Sequence, residues 1–347
     1  MTIGIAVLGA GIFAREEHIP AIQACDLVTL KAVYSRSQKS ADALATSVDP
    51  KPDSYYDDPS SADKSLDALL ARNDIQAVVV ALPILNQPAV IKKAIAAGKH
   101  VLSEKPIAKD TATAKELLEW YGSLSSPPIW GVGENFRFLD SVVYATEQLK
   151  EIGGDVVTFG FEMFNLIKDE DKYFNTQWRK VPEYQGGFLL DGGVHFVAGV
   201  RYFLAAVGQE VKQLSARTAL LQEKLPPVDT VHGLLTTGSG RSGTFICSFG
   251  TEFKSGFTIE LVTTNGAVRM SPVEVTVTKR GANGEKTEEK KDFEFNTGVK
   301  AELVAFAQSI NAGEVDPRQT AEQAFKDLEI LQALLESGEA SGAIKTF

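Results

Sequence analysis

The chain has 347 residues, of which 44% are hydrophobic and 23% charged, which is ample for two domains with a sizeable core. A formal net charge of −10 excludes a nucleic-acid surface as the main partner, because phosphate backbones need a basic patch, but it leaves room for a small basic pocket around one phosphate. The apolar start has no basic leader and is broken by glycines, and no run reaches the ~18 apolar residues of a membrane span, so a cytoplasmic protein with Cys25 and Cys247 reduced and no membrane partner is expected.

Residues 3–9 form a continuous apolar run ended by glycine, the signature of a buried parallel strand. A helical pattern follows over residues 12–23, then a second strand in "LVTLKAVYS". Residues 37–46 read as a helix opening on a serine cap, and residues 65–71 as another helix. "AVVVAL" is a further buried strand, residues 89–97 a helix stopped by Gly98, "HVLSE" a strand, residues 111–121 a helix and "IWGVGEN" a strand. This alternation predicts a parallel sheet covered by helices, in a domain over residues 1–135. Beyond about residue 150 closely spaced strands take over: "DVVTFGFEMF", "KQLSARTALL", "VHGLLTT", "GTFICSFG", "FTIELVTT", "AVRMS", "EVTVTKR" and "KDFEF". They predict an antiparallel sheet in a second domain over residues 136–347. Helices return at residues 301–312 and 320–337, the latter carrying Ala324, Leu328, Leu331 and Leu335 on one stripe, expected to pack back on the body. "KRGANGEKTEEKKD" reads as a charged surface hairpin.

Gly9-Ala10-Gly11-Ile12-Phe13-Ala14 lies between the first strand and the first helix. In this GxGxxA pattern Gly9 permits the tight turn and Gly11 lets backbone approach a pyrophosphate. Ala14 lets the helix pack on the sheet, and the helix N-terminus offers N–H groups to the anion. A purely structural turn is the competing reading. At the end of the second strand an NAD-binding site usually carries an acid for the ribose 2′-hydroxyl. Here the chain has Ser35, Arg36, Ser37 and, just beyond, Lys39. That chemistry suits the 2′-phosphate of NADP(H), while a solvated helix cap at Ser37 is the alternative. Glu104-Lys105-Pro106 closes the fifth strand, at the sheet edge where ligands bind in α/β folds, and Pro106 restricts Lys105 to a defined turn.

In "GGFLLDGGVH" Asp191 and His195 are i and i+4, so a helix starting near residue 191 presents both on one face. A proton-transfer pair is one reading, with the preceding glycines letting a ligand approach. An N-capping Asp191 with a core histidine is the other. His18, His100 and His232 stand in unrelated contexts and no Cys/His cluster exists, so no metal site is expected.

Together the GxGxxA start, "EKP" and the DxxxH motif resemble the Gfo/Idh/MocA oxidoreductases over nearly the whole chain. The wording of "GIFAREEHIPAIQ" and "NTQWRKVPEYQGGFLLDGGVH" is most similar to a fungal NADP(H)-dependent branch. The resemblance implies an α/β Rossmann domain followed by an α+β domain with a large, mostly antiparallel open sheet that often joins copies into a homo-oligomer. It implies a sugar, polyol or related small-molecule substrate. It also assigns catalysis to Lys105, Asp191 and His195. Leu82, Pro83, Asn86 and Glu104 join the cofactor contacts, although Ile84 and Gln87 replace polar types common in the family. Asn135, Trp178 and Arg179 are further candidates for the cofactor side, with Arg137 beside them, and a structural arginine pair or a core tryptophan explains them nearly as well. A non-catalytic NADP(H)-binding sensor on the same fold is the alternative function.

Overall fold

A computed structural model describes residues 2–347. β1 (Ile3–Leu8), β2 (Val28–Ser35), β3 (Asp53–Tyr56), β4 (Ala77–Val80), β5 (His100–Glu104) and β6 (Trp130–Gly133) form one sheet in the order β3-β2-β1-β4-β5-β6. Every neighbouring pair is parallel. β1 and β4 are buried at every position, as central strands covered on both faces must be. The order reverses between β1 and β4, and this switch point opens the crevice in which doubly wound sheets take ligands.

The chain divides into two compact units, Met1–Glu134 with Val299–Phe325, and Asn135–Gly298 with Lys326–Phe347. Residues 299–325, although they follow the second sheet in the chain, group with the first unit. The physical reason is core packing. The helix Val299–Ala312 inserts Val299, Leu303, Phe306 and Ala307 among Ile3, Ile5, Val7 and Val79, and the backbone N–H of Val132 donates to Gln319 O at 2.8 Å. An apolar helical pattern does not say which body it will cover.

The expected helix over residues 12–23 is present but is not uniformly α. Ala14–His18 forms a wide π turn that passes into Ile19–Gln23. Pro20 explains it: it has no N–H for the carbonyl four residues back and its ring crowds that carbonyl, so the ladder slips and Ile19 N–H donates to Ala14 O instead.

In the second unit β7 (Val156–Phe164), β8 (Val211–Ala219), β9 (Thr230–Thr237), β10 (Ser242–Ser248), β11 (Gly256–Thr263), β12 (Gly266–Met270), β13 (Glu274–Arg280), β14 (Lys286–Asp292) and β15 (Lys345–Thr346) make a nine-stranded sheet. Its order is β14-β13-β12-β11-β7-β10-β9-β8-β15, and only β7 and β10 pair in parallel. The strand expected at "KDFEF" is displaced: β14 lies earlier and pairs Glu274 with Asp292 through Arg280 with Lys286. It is the charged hairpin read from the sequence. As an exposed edge strand it has no apolar face to betray it, and its charges discourage pairing with another chain.

The helix Gly187–Ala206 packs inside this unit. Leu189, Leu190, Val194, Val197, Phe203 and Leu204 are buried. Among the described residues it is the one helix long and apolar enough to cross a membrane, although Asp191, His195 and Arg201 break its apolar run. Its apolar character serves the core. The last long helix, Ala321–Glu339, buries Ala324, Leu328, Leu331 and Leu335 as the stripe required. Both cysteines are buried free thiols.

Candidate active site

The cradle begins where β1 ends. Gly9 has φ +129°, and a Cβ there would sit 2.1 Å from the carbonyl oxygen of Ala81, so only glycine lets β1 turn this close to the end of β4. Gly11 is different: nothing lies within 4 Å of its Cβ position, and it opens onto free space where the first helical turn starts. Ala14 is buried in the core, while Ile12 and Phe13 are half-buried. An open glycine under a helix's first turn, with that turn's N–H groups unclaimed by the helix itself, fits a dinucleotide pyrophosphate.

At the end of β2, Ser35 is half-buried and Arg36, Ser37 and Lys39 are exposed. Ser37 caps the helix Gln38–Thr46, its Oγ accepting from the Ser40 N–H at 3.2 Å. The capping reading is therefore realised at Ser37, which leaves Arg36 and Lys39 as the cationic pair there. Tyr34 Oη donates to Asp57 Oδ2 at 2.7 Å, and that carboxylate comes from just past β3, which is paired with β2. Burial, then the bond to Asp57, pushes the Tyr34 phenol far up.

Beyond β4, Leu82 and Pro83 lead into a tight turn, Ile84–Asn86, with Ile84 buried and Asn86 half-buried. Gln87 is buried, and its Oε1 has no partner. Beyond β5, Glu104 and Lys105 are half-buried and the Lys105–Pro106 peptide is cis. Glu104 Oε1 lies 2.7 Å from Nε2 of His18, an imidazole with no solvent exposure. Sequence reasoning set His18 aside. The available signal was a histidine four residues beyond Ala14, on the helix that opens the cradle.

In the second unit the helix Gly187–Ala206 starts four residues before Asp191, with Gly186 as its left-handed N-cap at φ 72°. Asp191 is therefore not the cap. It faces Arg179, whose Nε donates to Asp191 Oδ2 at 2.7 Å. Arg179 comes from the short helix Gln177–Lys180, and its guanidinium lies 4.0 Å from the Trp178 ring centroid. Tyr184, missed in the sequence, packs near Trp178 with ring centroids 6.2 Å apart, and its Oη is buried without a partner. Burial, and then the Asp191 carboxylate, push its phenol well above the ordinary range while Arg179 offsets part of the shift, so Tyr184 remains a proton-bearing donor. His195 is half-buried, its ring 6.3 Å from that of Phe136.

The glycines of this stretch answer mainly to packing rather than to ligand approach. A Cβ at Gly187 would lie 2.2 Å from Pro226 O, and one at Gly192 would lie 2.6 Å from Phe249 Cζ. Asn135 also makes a structural bond, its side-chain nitrogen donating to Thr297 O at 2.6 Å. Arg137 and Arg201 both clamp the buried Asp327, the structural arginine pairing that the sequence left open. Among the described residues no group of three or more His, Cys, Asp or Glu could hold a metal ion.

Residues 3–125 match an oxidoreductase family defined by an NAD-binding Rossmann fold, and residues 148–346 match the same family's C-terminal alpha/beta domain. The chain belongs to the Gfo/Idh/MocA oxidoreductase family. Dehydrogenase FPY6 of Fusarium mangiferae is 52% identical over 99% of this chain and 98% of its own. Another relative, D-xylose 1-dehydrogenase (NADP(+)) 2 of Haloferax volcanii, is 27% identical over 98% of each chain. The crystal structure of an oxidoreductase from Thermotoga maritima superposes with TM-score 0.85 at 28% identity, covering 100% of this chain and 98% of that one.

Proposed function

We propose that this Gfo/Idh/MocA protein is an NADP(H)-dependent oxidoreductase acting on a CH–OH or carbonyl carbon of a sugar, polyol or related small molecule. The observation that carries the reading is the open Gly11 cradle beside the cationic end of β2, Arg36 and Lys39. An arginine fork and a lysine recognise a 2′-phosphate, whereas Asp57, the acid at hand, is engaged by Tyr34. The nicotinamide, when bound, supplies the hydride acceptor or donor. Lys105 polarises the reacting oxygen, and His195 takes or returns its proton. Asp191, held by Arg179, lies beside the buried Tyr184 phenol, and the two orient a substrate hydroxyl. The name of the Haloferax relative, a D-xylose 1-dehydrogenase (NADP(+)), supports this substrate class and this cofactor. The reading includes a cytoplasmic protein and a homo-oligomer formed through the nine-stranded sheet, where Leu234 of β9 is exposed.

The test is a titration of NADPH and NADH against wild type and Arg36→Ala, followed by turnover of a panel of sugars, polyols and carbonyl compounds. NADPH should bind more tightly than NADH, and Arg36→Ala should weaken NADPH by about 1.5–3 kcal/mol, one charged hydrogen bond, while leaving NADH unchanged. Lys105→Met and His195→Asn should keep cofactor affinity and lose ~10²–10⁴-fold in rate. Equal affinity for the two cofactors refutes the 2′-phosphate assignment. Tight binding with no turnover on any substrate identifies a sensor.

A further inference from the structure

His18 is fully buried, yet only half of its polar capacity is used. Nε2 meets Glu104 at 2.7 Å, and Nδ1 is buried with no partner. Whichever nitrogen carries the proton, the ring brings one buried, unmatched nitrogen into this place, a cost that an apolar side chain of similar size would not carry. The retained imidazole therefore has a use beyond packing, and its one hydrogen bond among the described residues goes to the residue preceding Lys105. The side chain also touches the cradle, lying edge-on to Phe13 with ring centroids 5.3 Å apart. It is brought there by the π turn Ala14–His18, one helical turn beyond Gly11.

We propose that His18 is a positioning residue that holds the Glu104 carboxylate, and with it the turn bearing Lys105, in register with the dinucleotide cradle. The inference rests on the functional reading above and extends it. The helix that receives the pyrophosphate carries, one turn later, the group that fixes the Glu104–Lys105 end of β5. Losing that hydrogen bond leaves the Gly9–Gly11 cradle and the Arg36 and Lys39 cations as they are, and frees only the β5 end.

Two polar replacements separate this from a packing role. The amide nitrogen of His18→Gln reaches the Nε2 position and can bond Glu104, whereas that of His18→Asn occupies the Nδ1 position and cannot. Full-length variants are titrated with NADPH by fluorescence and with adenosine 2′,5′-bisphosphate, which has the 2′-phosphate but no nicotinamide, by calorimetry. Thermal midpoints are recorded alongside. His18→Asn should bind the bisphosphate like wild type and NADPH about tenfold more weakly, because Glu104, on the cofactor side of the β5 end, is no longer held for the nicotinamide half. His18→Gln should restore NADPH binding to within about threefold of wild type. Asn and Gln variants with the same NADPH-to-bisphosphate affinity ratio overturn the inference, as does a parallel loss of both ligands in both variants, which marks a residue that merely supports the cradle helix. Wild-type protein that binds neither ligand overturns the functional reading and this inference with it.

Discussion

Replacing Arg179 by methionine tests how the Asp191 carboxylate is held. The arginine side chain is 15% exposed and Asp191 only 8%, so their 2.7 Å contact is mostly shielded from water and salt. Methionine keeps much of the volume and removes the charge. The loss contains one charge-assisted hydrogen bond, about 1.5–3 kcal/mol. It also contains the stacking of the guanidinium 4.0 Å from the Trp178 centroid, about 0.5–2 kcal/mol. The two share one side chain and do not simply add, and the partial exposure trims both, so about 2–4 kcal/mol is expected. Urea unfolding followed by circular dichroism gives the total, and tryptophan fluorescence reports the surroundings of Trp178. A double-mutant cycle with Asp191→Asn isolates the pair and should return a coupling of about 1.5–3 kcal/mol. Arg179→Lys keeps the charge without the planar fork and should fall between. An Arg179→Met protein within about 0.5 kcal/mol of wild type, or a coupling indistinguishable from zero, refutes this account of Asp191.

Two further outcomes are expected from packing and protonation. Leu331 has no exposed surface in the last long helix, and Leu331→Ala should destabilise by about 2–5 kcal/mol in urea unfolding, a wild-type midpoint showing that the helix is not docked there. His100 has its pKa lowered by burial, and its Nδ1 accepts the Ile129 N–H at 2.9 Å, a bond that only the unprotonated ring can make. The unfolded chain therefore binds this proton more readily than the folded one, so His100's contribution is present above its unfolded value of 6.5 and is lost as pH falls below it. Stability should decline between about pH 6.5 and 5 by less in His100→Asn than in wild type, and parallel pH profiles would refute the assignment.

Much of the first unit was legible because its determinants are local. β1 and β4 are runs of apolar residues, Ser37 and Ser65 cap their helices in sequence, and Gly9 and Gly11 stand at fixed offsets from β1. What the sequence hid depends on distant partners. Asp57 meets Tyr34 only because β3 pairs with β2, and His18 meets Glu104 across 86 positions of chain. "GGFLLDGGVH" invited a reading about ligand approach, since glycine spacing says nothing of what stands opposite. Pro226, Phe249 and Leu335 supply that answer from far along the chain. β14 was legible only as a charged hairpin and not by alternation, because nearly all of its positions face water.

The return of Val299–Phe325 to the first unit bears on synthesis. At about 5–20 residues per second, the nascent β1–β6 sheet waits on the order of 10 s or more before the helix that completes its core leaves the ribosome. Until then the faces of Ile3, Ile5, Val7 and Val79 that Leu303 and Phe306 will cover stay open to water and to other chains. The dinucleotide cradle is thus made early but set on a finished core late, and a ligand that grips the first turn would find its firm support only once Val299–Phe325 has been translated.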